Sequence, residues 1–169
     1  LKKENISDGV RNHYSIIDGQ QRISTLTIML CAIGFIFAEN DNKDYFQGLN
    51  KPLFVTDNRF RPHPIVSENA NKSISSLVVT LFKNVNDHFD KGQELVTASQ
   101  LLKQAKVTSV IEKCFMCFYN WFRNKVDGDM DVLAKYLEII LDVRYIDIVA
   151  EEDEDAFSIS SQDVLEEAM

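Results

Sequence analysis

Apolar side chains recur every three or four residues along much of the chain, a spacing that predicts amphipathic helices. The first such stretch begins near Gln20 and is apolar around most of its circumference, which is typical of a central, buried helix. Gly34 lies within it and indicates a close helix contact, because glycine costs a helix about 1 kcal/mol relative to alanine. The apolar positions of this helix are Ile23, Leu26, Ile28, Met29, Leu30, Ile33, Ile36 and Phe37.

Further helices are predicted in the second half of the chain. Ser73 is the expected N-cap of one whose inward positions run from Ile74 to Phe89. A single long helix is predicted from about residue 94 to residue 126. A turn at 127–129 ends it, and Asp129 is expected to cap one more helix.

Short runs of β-branched and aromatic residues predict strands at 14–17, 51–55 and 143–149. Residues 56–64 contain two prolines and are predicted to be extended, so that Arg59 and Arg61 alternate around Phe60. Helix should clearly outweigh strand. The predicted fold class is therefore α+β and helix-rich.

Charge and composition narrow the functional classes. The 169 residues carry a net charge of −8. The segment from residue 151 onward contains eight acidic residues and no lysine or arginine, so residues 1–150 are neutral as a whole. This balance disfavours strong direct DNA binding by this stretch alone. The longest uninterrupted apolar run, 28–38, is about half of a membrane span, so no membrane association is expected. The three cysteines lie in apolar helical surroundings, which suits a reducing cytoplasm.

Common catalytic and metal-binding motifs are missing from the sequence. There is no GxxxxGK[ST] phosphate loop, GxGxxG, HExxH or GxSxG. Cys114 and Cys117 have a metal-like spacing, but no second pair accompanies them and aromatic residues surround them, so core packing is favoured. His13 and His63 stay open as candidate site residues, because each lies near a polar segment.

The junction between the first predicted strand and the first helix is the leading candidate site. A strand ending at Ile17 stops at Asp18-Gly19, and three polar residues, Gln20, Gln21 and Arg22, occupy the first helical turn. Unpaired backbone N–H groups at such a junction can meet an anion, and arginine adds donors suited to phosphate. The alternative interpretation is an Asp-Gly turn followed by an ordinary polar helix start, with Asp18 as N-cap.

The stretch 14–26, YSIIDGQQRISTL, resembles the I-I-D-G-Q-Q-R-L-T-T-L signature of the GmrSD-type family. Its members carry a ParB/sulfiredoxin-like N-terminal domain of unknown function and serve in type IV restriction and phage defence. A weaker similarity covers residues 143–149 and the acidic turn leading to Ala156-Phe157. After Phe157 the sequence departs from the family's usual I-F-e-x-L-N-x-x-G continuation.

The resemblance implies nucleotide binding and hydrolysis at the D-G-Q-Q-R junction, with an NTP as cofactor. Gly19 would let the backbone approach a phosphate, and Gln20 and Gln21 would donate to it or orient a water. Arg22 would neutralise charge that develops during phosphoryl transfer, and Asp18 would hold Mg²⁺ or position that water. The expected catalytic residues are Asp18, Gln21 and Arg22, with Asp18 as the metal ligand. The expected nucleotide-binding residues are Gly19, Gln20, Arg22, Thr25, Arg59 and Arg61.

The resemblance also implies an organisation for the chain. A ParB/sulfiredoxin-like core is expected at 1–70, a helical portion at 71–142, and a returning strand with an acidic segment at 143–169, together a fragment of a longer protein. DNA would be reached only through missing or partner domains, a nuclease domain or subunit among them. The alternative is a non-catalytic sensor or protein-interaction domain in which D-G-Q-Q-R is structural.

Overall fold

A computed structural model describes residues 2–4, 13–15, 20–57 and 59–142, of which 2–4, 13–15 and 20 are described by their backbone alone. The chain divides into two compact units, one with residues 1–22 and 144–169 and the other with residues 23–143. The predicted strand at 143–149 and the acidic run after it lie outside the described residues. The predicted three-part division into 1–70, 71–142 and 143–169 stays a prediction.

Seven helices and four short strands make up the described residues, which confirms the helix-rich α+β class. The helices are α1 (Gln20–Glu39), α2 (Lys43–Gly48), α3 (Asn50–Leu53), α4 (Glu68–Lys91), α5 (Ala98–Ala105), α6 (Ser109–Val126) and α7 (Met130–Leu141). The strands are β1 (Lys2–Glu4), β2 (His13–Ser15), β3 (Phe54–Thr56) and β4 (Pro62–Pro64). They form two antiparallel pairs, β1 with β2 and β3 with β4.

Helix α1 is the central helix that the sequence predicts. All its residues from Cys31 to Ala38 are buried, and rings from other helices pack on it. The stretch Gln21–Glu39 has the length and the mean hydropathy, 1.6, of a membrane-crossing helix, yet 61% of it is buried inside the protein. Packing against neighbouring helices therefore accounts for its apolar character.

At Gly34, α1 lies close to the α2–α3 segment. A Cβ atom at this position would lie 2.7 Å from Cδ1 of Leu49 and 3.5 Å from Cδ2 of Phe46. Both of these side chains are fully buried. The close contact expected from the glycine is thus present, and the missing side chain is what allows it.

The start of α4 differs from the prediction. Ser67, not Ser73, is its N-cap, and the Ser67 hydroxyl accepts a hydrogen bond from the Ala70 amide at 3.3 Å. Asn71 then interrupts the helix with φ −157° and ψ 96°, and its side chain accepts from the Ile74 amide at 3.2 Å. The predicted cap is wrong because Asn71, two residues earlier, restarts the helix by the same capping chemistry.

The single helix predicted over 94–126 is in fact two helices, α5 and α6. Thr97 and Gln100 begin α5 with reciprocal side-chain to backbone hydrogen bonds of 3.3 and 2.8 Å. Lys106 ends it in the left-handed conformation, with φ 52°. No glycine or proline marks this break, so the apolar periodicity masks it. Asp129 does cap α7, accepting from the amides of Asp131 and Val132.

The segment 51–64 was predicted as one strand followed by extended chain, and this is wrong in detail. Residues up to Leu53 belong to α3, and β3 and β4 form a hairpin in which Val55 pairs with His63. Arg59 and Phe60 lie in its turn. Arg59 and Arg61 therefore do not alternate along an extended segment.

Candidate functional site

The start of α1 carries three predicted site residues whose side chains the structure describes. Gln21, Arg22 and Thr25 are exposed, whereas every residue of α1 from Thr27 to Ala38 except Met29 is buried. Asp18 and Gly19 lie outside the described residues, and Gln20 is the first residue of α1. The polar end of a buried helix is thus open to solvent, where a ligand can reach it.

The electrostatics of this turn favour an anion. No acidic residue lies in the first turn of α1, whereas α2, α4, α6 and α7 each have one there. The partial positive charge of the α1 N-terminus is therefore not offset by a carboxylate of its own turn. Arg22 adds a full positive charge and forms no ion pair with any residue in the described ranges. This part of the helix can attract phosphate or carboxylate.

Thr27 is a buried polar residue at the start of α1. Its side chain is only 2% exposed, and its hydroxyl donates to the carbonyl oxygen of Ile23 at 2.8 Å. This hydrogen bond to the preceding turn satisfies the hydroxyl within the helix. Thr27 is therefore part of the core and not a ligand group.

Arg59 and Arg61, the predicted second phosphate clamp, lie on the β3–β4 hairpin around Asp57. One oxygen of Asp57 accepts from the backbone amides of Arg59 and Arg61, both at 2.8 Å. The other accepts from the Arg61 side chain at 2.9 and 2.8 Å and contacts Nε2 of His63 at 3.1 Å. The backbone hydrogen bond from Arg61 is the main cause that holds the pKa of Asp57 well below its usual range.

This arrangement separates the roles of the two arginines. The guanidinium of Arg61 is already matched by Asp57, whereas Arg59 offers its guanidinium to solvent and bonds Asp57 only through its backbone amide. The hairpin belongs to the unit of residues 23–143 and Arg22 to the other unit. A phosphate clamp that combines them stays a prediction. His63 is a partner of Asp57, and the side chain of His13 lies outside the described residues.

A second polar cluster, which the sequence reasoning missed, lies at the other end of α1. The Tyr119 hydroxyl donates to a carboxylate oxygen of Glu39 at 2.7 Å and accepts from the Arg123 guanidinium at 2.9 Å. Burial, followed by the hydrogen bond to Glu39, raises the pKa of Tyr119 to about 12. Glu39 and Arg123 also line an open cavity of 370 Å³ with Asn40, Leu95, Val96 and Thr97.

The cluster supports the fold and is not an acid–base centre. Glu39 is the last residue of α1, where a negative charge is unfavourable to the helix dipole, and the Tyr119 hydroxyl stabilises it. A tyrosine whose pKa is raised keeps its proton and acts as a donor. The four-residue spacing of Tyr119 and Arg123 could be read from the sequence, but their pairing with Glu39 could not.

Replacing Tyr119 with phenylalanine should lower the free energy of unfolding by about 1 kcal/mol, since Glu39 and Arg123 each lose their hydrogen bond to the Tyr119 hydroxyl. Because the pKa of Tyr119 is raised from 10 to about 12 in the folded protein, the stability difference between the two proteins should have its full value below pH 10. It should shrink as the pH rises from 10 to 12. Urea unfolding of both proteins over that range measures it. Tyr136→Phe is the matched control, because the Tyr136 ring packs on Trp121 and its hydroxyl has no hydrogen bond with a described residue. The prediction would be contradicted if Tyr136→Phe lowered the free energy of unfolding as much as Tyr119→Phe does.

Metal-binding side chains do not cluster in the described part of the chain, where no three of His, Cys, Asp and Glu come together. Cys31 is fully buried, and burial raises the pKa of its thiol. Cys114 is half-buried and Cys117 is exposed on α6. The predicted metal ligand, Asp18, lies outside these residues and stays a prediction.

Comparison with known proteins gives one family. The family model described as "GmrSD restriction endonuclease, N-terminal domain" matches residues 2–161, nearly the whole chain. No curated protein sequence and no solved structure matches the chain. The match covers both the 14–26 stretch and the segment after residue 143 on which the resemblance was based.

Proposed function

Because the chain belongs to the GmrSD restriction endonuclease N-terminal domain family, we propose that it binds and hydrolyses an NTP as the regulatory module of a modification-dependent restriction protein. Membership of this family makes it a module of a restriction and phage-defence protein. The nucleotide would control cleavage by a nuclease domain or partner subunit, and we place this activity in the cytoplasm. The DNA to be cleaved would be reached through those other parts.

One observation supports the nucleotide site above all others, namely the exposed first turn of α1 with Arg22 and without an acidic residue. A triphosphate carries several negative charges, and this turn combines a helix N-terminus with a guanidinium that no described carboxylate pairs. The remaining helices of the 23–143 unit with ten or more residues all begin with a carboxylate in that position.

The residues of the D-G-Q-Q-R junction would have different roles in binding and hydrolysing the nucleotide. Backbone N–H groups from Gly19 to Gln21 would hold phosphate oxygens, and Arg22 would stabilise the charge that develops on the transferred phosphoryl group. Gln21 would orient the attacking water. Mg²⁺, held by Asp18, would supply charge neutralisation at the phosphates. Thr25, one turn further along α1, would contact the edge of the nucleotide.

Replacing Arg22 with alanine should weaken NTP binding about ten- to a hundredfold, because a charge-assisted hydrogen bond to phosphate contributes roughly 1.5–3 kcal/mol. Calorimetric titration of ATP and GTP with Mg²⁺ into both proteins measures the change. Lys113→Ala is the matched control, since Lys113 is an exposed cation on α6. The melting temperature of all three proteins should be the same, because both side chains are exposed.

Two results would count against the proposal. The nucleotide site fails if no NTP binds with Mg²⁺, or if Arg22→Ala binds as tightly as the unaltered protein. Release of inorganic phosphate tests hydrolysis separately. Binding without phosphate release would remove hydrolysis and keep the nucleotide site. Absence of binding would favour the alternative, a non-catalytic sensor or protein-interaction domain in which D-G-Q-Q-R is structural.

A further inference from the structure

The β3–β4 hairpin presents an aromatic ring to solvent. Phe60 is 89% exposed, the most exposed large apolar side chain in the described residues. Its backbone has φ 59°, a left-handed conformation that bulky residues rarely adopt. Because the Phe60 ring buries almost none of its surface within the protein, it contributes little to folding. Contact with a binding partner would explain its place.

Hydrogen bonds hold the turn in this shape. The amide of Asp57 donates to the Arg61 carbonyl and the amide of Phe60 to the Asp57 carbonyl, each at 3.0 Å. The Asp57 carboxylate bonds the amides on both sides of Phe60, at Arg59 and Arg61. Among the described residues of the turn, Arg59, Phe60 and Arg61 are thus all tied to Asp57 by backbone hydrogen bonds, and this holds Phe60 outward.

The surroundings of Phe60 are positively charged, although the whole chain is acidic. Arg59 and Arg61 flank it and are both exposed, and Arg61 keeps 61% of its side chain accessible in spite of its ion pair. Asp57 is the nearest carboxylate in sequence, and its side chain is only 25% exposed. A partner therefore meets an exposed aromatic ring beside one guanidinium, that of Arg59, which no described carboxylate pairs, whereas Asp57 pairs the guanidinium of Arg61.

We propose that the β3–β4 hairpin contacts duplex DNA, with Phe60 pressed against a base step in a groove and Arg59 on a neighbouring phosphate. Apolar wedges between base steps and arginines on phosphates are a recurrent combination in DNA-bound proteins. A negatively charged polymer matches the positive charge of Arg59, which remains after Asp57 has offset that of Arg61, and the family of this chain is a restriction endonuclease family. The contact is local and weak, which agrees with the absence of a basic excess over residues 1–150.

Anisotropy of a fluorescein-labelled 20-base-pair duplex at about 50 mM NaCl, without nucleotide, tests the hairpin separately from the NTP site. Phe60→Ala should weaken binding about five- to a hundredfold, and Phe60→Tyr, which keeps the ring, should bind as the unaltered protein does. Arg59→Ala should also weaken binding and reduce the slope of log affinity against log salt by about 1. Thermal melting checks that each variant is folded.

Val110→Ala on α6 is the matched control, because Val110 is also apolar and 73% exposed, and it should leave DNA binding unchanged. The proposal is overturned if the unaltered protein does not bind the duplex, or if Phe60→Ala and Val110→Ala bind equally. Tighter binding of the single strand than of the duplex would also overturn it, as would capture of a protein partner through Phe60 with no effect on DNA.

Discussion

Replacing Phe35 with alanine is expected to lower the free energy of unfolding by about 3–5 kcal/mol, the usual cost of removing a buried aromatic ring. Phe35 has no exposed surface, and its ring lies 6.4 Å from the centroid of Phe115 and 5.9 Å from that of Tyr119. The cavity would lie where α1 meets α6. Since a domain is stable by only about 5–15 kcal/mol, the variant should be close to unfolding.

Urea unfolding followed by circular dichroism measures this loss, and Phe60→Ala provides the control. The same atoms are removed in both variants, but Phe60 is 89% exposed, so its change should be within about 0.5 kcal/mol. Phe35→Leu should fall between the two, because leucine refills part of the space. Similar losses at positions 35 and 60 would show that α1 does not pack as described.

Gly34→Leu is expected to destabilise the protein by about 1–3 kcal/mol or more, because the new side chain has no room. Its first atom alone would lie 2.7 Å from Leu49 Cδ1, and Leu49 is fully buried and cannot move into solvent. The α2–α3 segment would have to move away from α1. A lower urea midpoint with an unchanged m-value is the expected result.

Two further substitutions separate crowding from the effect of glycine on helix propensity. Gly34→Ala adds only the Cβ atom, so a gain in helix propensity of about 1 kcal/mol opposes the contact with Leu49 and the loss should be smaller. Gly48→Ala should be nearly neutral, because no atom lies within 4 Å of its added Cβ. A neutral Gly34→Leu variant would contradict the close packing at this position.

Local chemistry explains which elements the sequence predicts well. Helix α1 begins at Gln20 as expected, because its apolar periodicity is long and starts directly after Asp18-Gly19. Asp129 caps α7 as expected, because an N-cap depends only on amides two and three residues away. The start of α4 was harder, since residues 67–73 contain several serines and asparagines that are all suited to capping.

Three features of the structure could not be predicted from the sequence pattern. The break between α5 and α6 falls at Lys106, which takes a left-handed conformation without a glycine. The Glu39–Tyr119 hydrogen bond joins residues 80 positions apart, so no local sequence pattern predicts it. The turn around Phe60 depends on Asp57 accepting bonds from residues two, four and six positions ahead. In the sequence, this turn cannot be distinguished from an extended chain in which every second residue is an arginine.

The sequence by itself determined the buried central helix, the helix-rich α+β class and the family, because periodic apolar positions and a contiguous motif are properties of neighbouring residues. It also singled out Gln21, Arg22 and Thr25, which are exposed at the start of α1 and stay predicted site residues. Only the tertiary structure decided that Arg61 is paired with Asp57, that Arg59 and Phe60 point outward, and that Gly34 sits against Leu49. These features depend on side chains meeting across turns and between helices, and such meetings are set by packing in space, not by order along the chain.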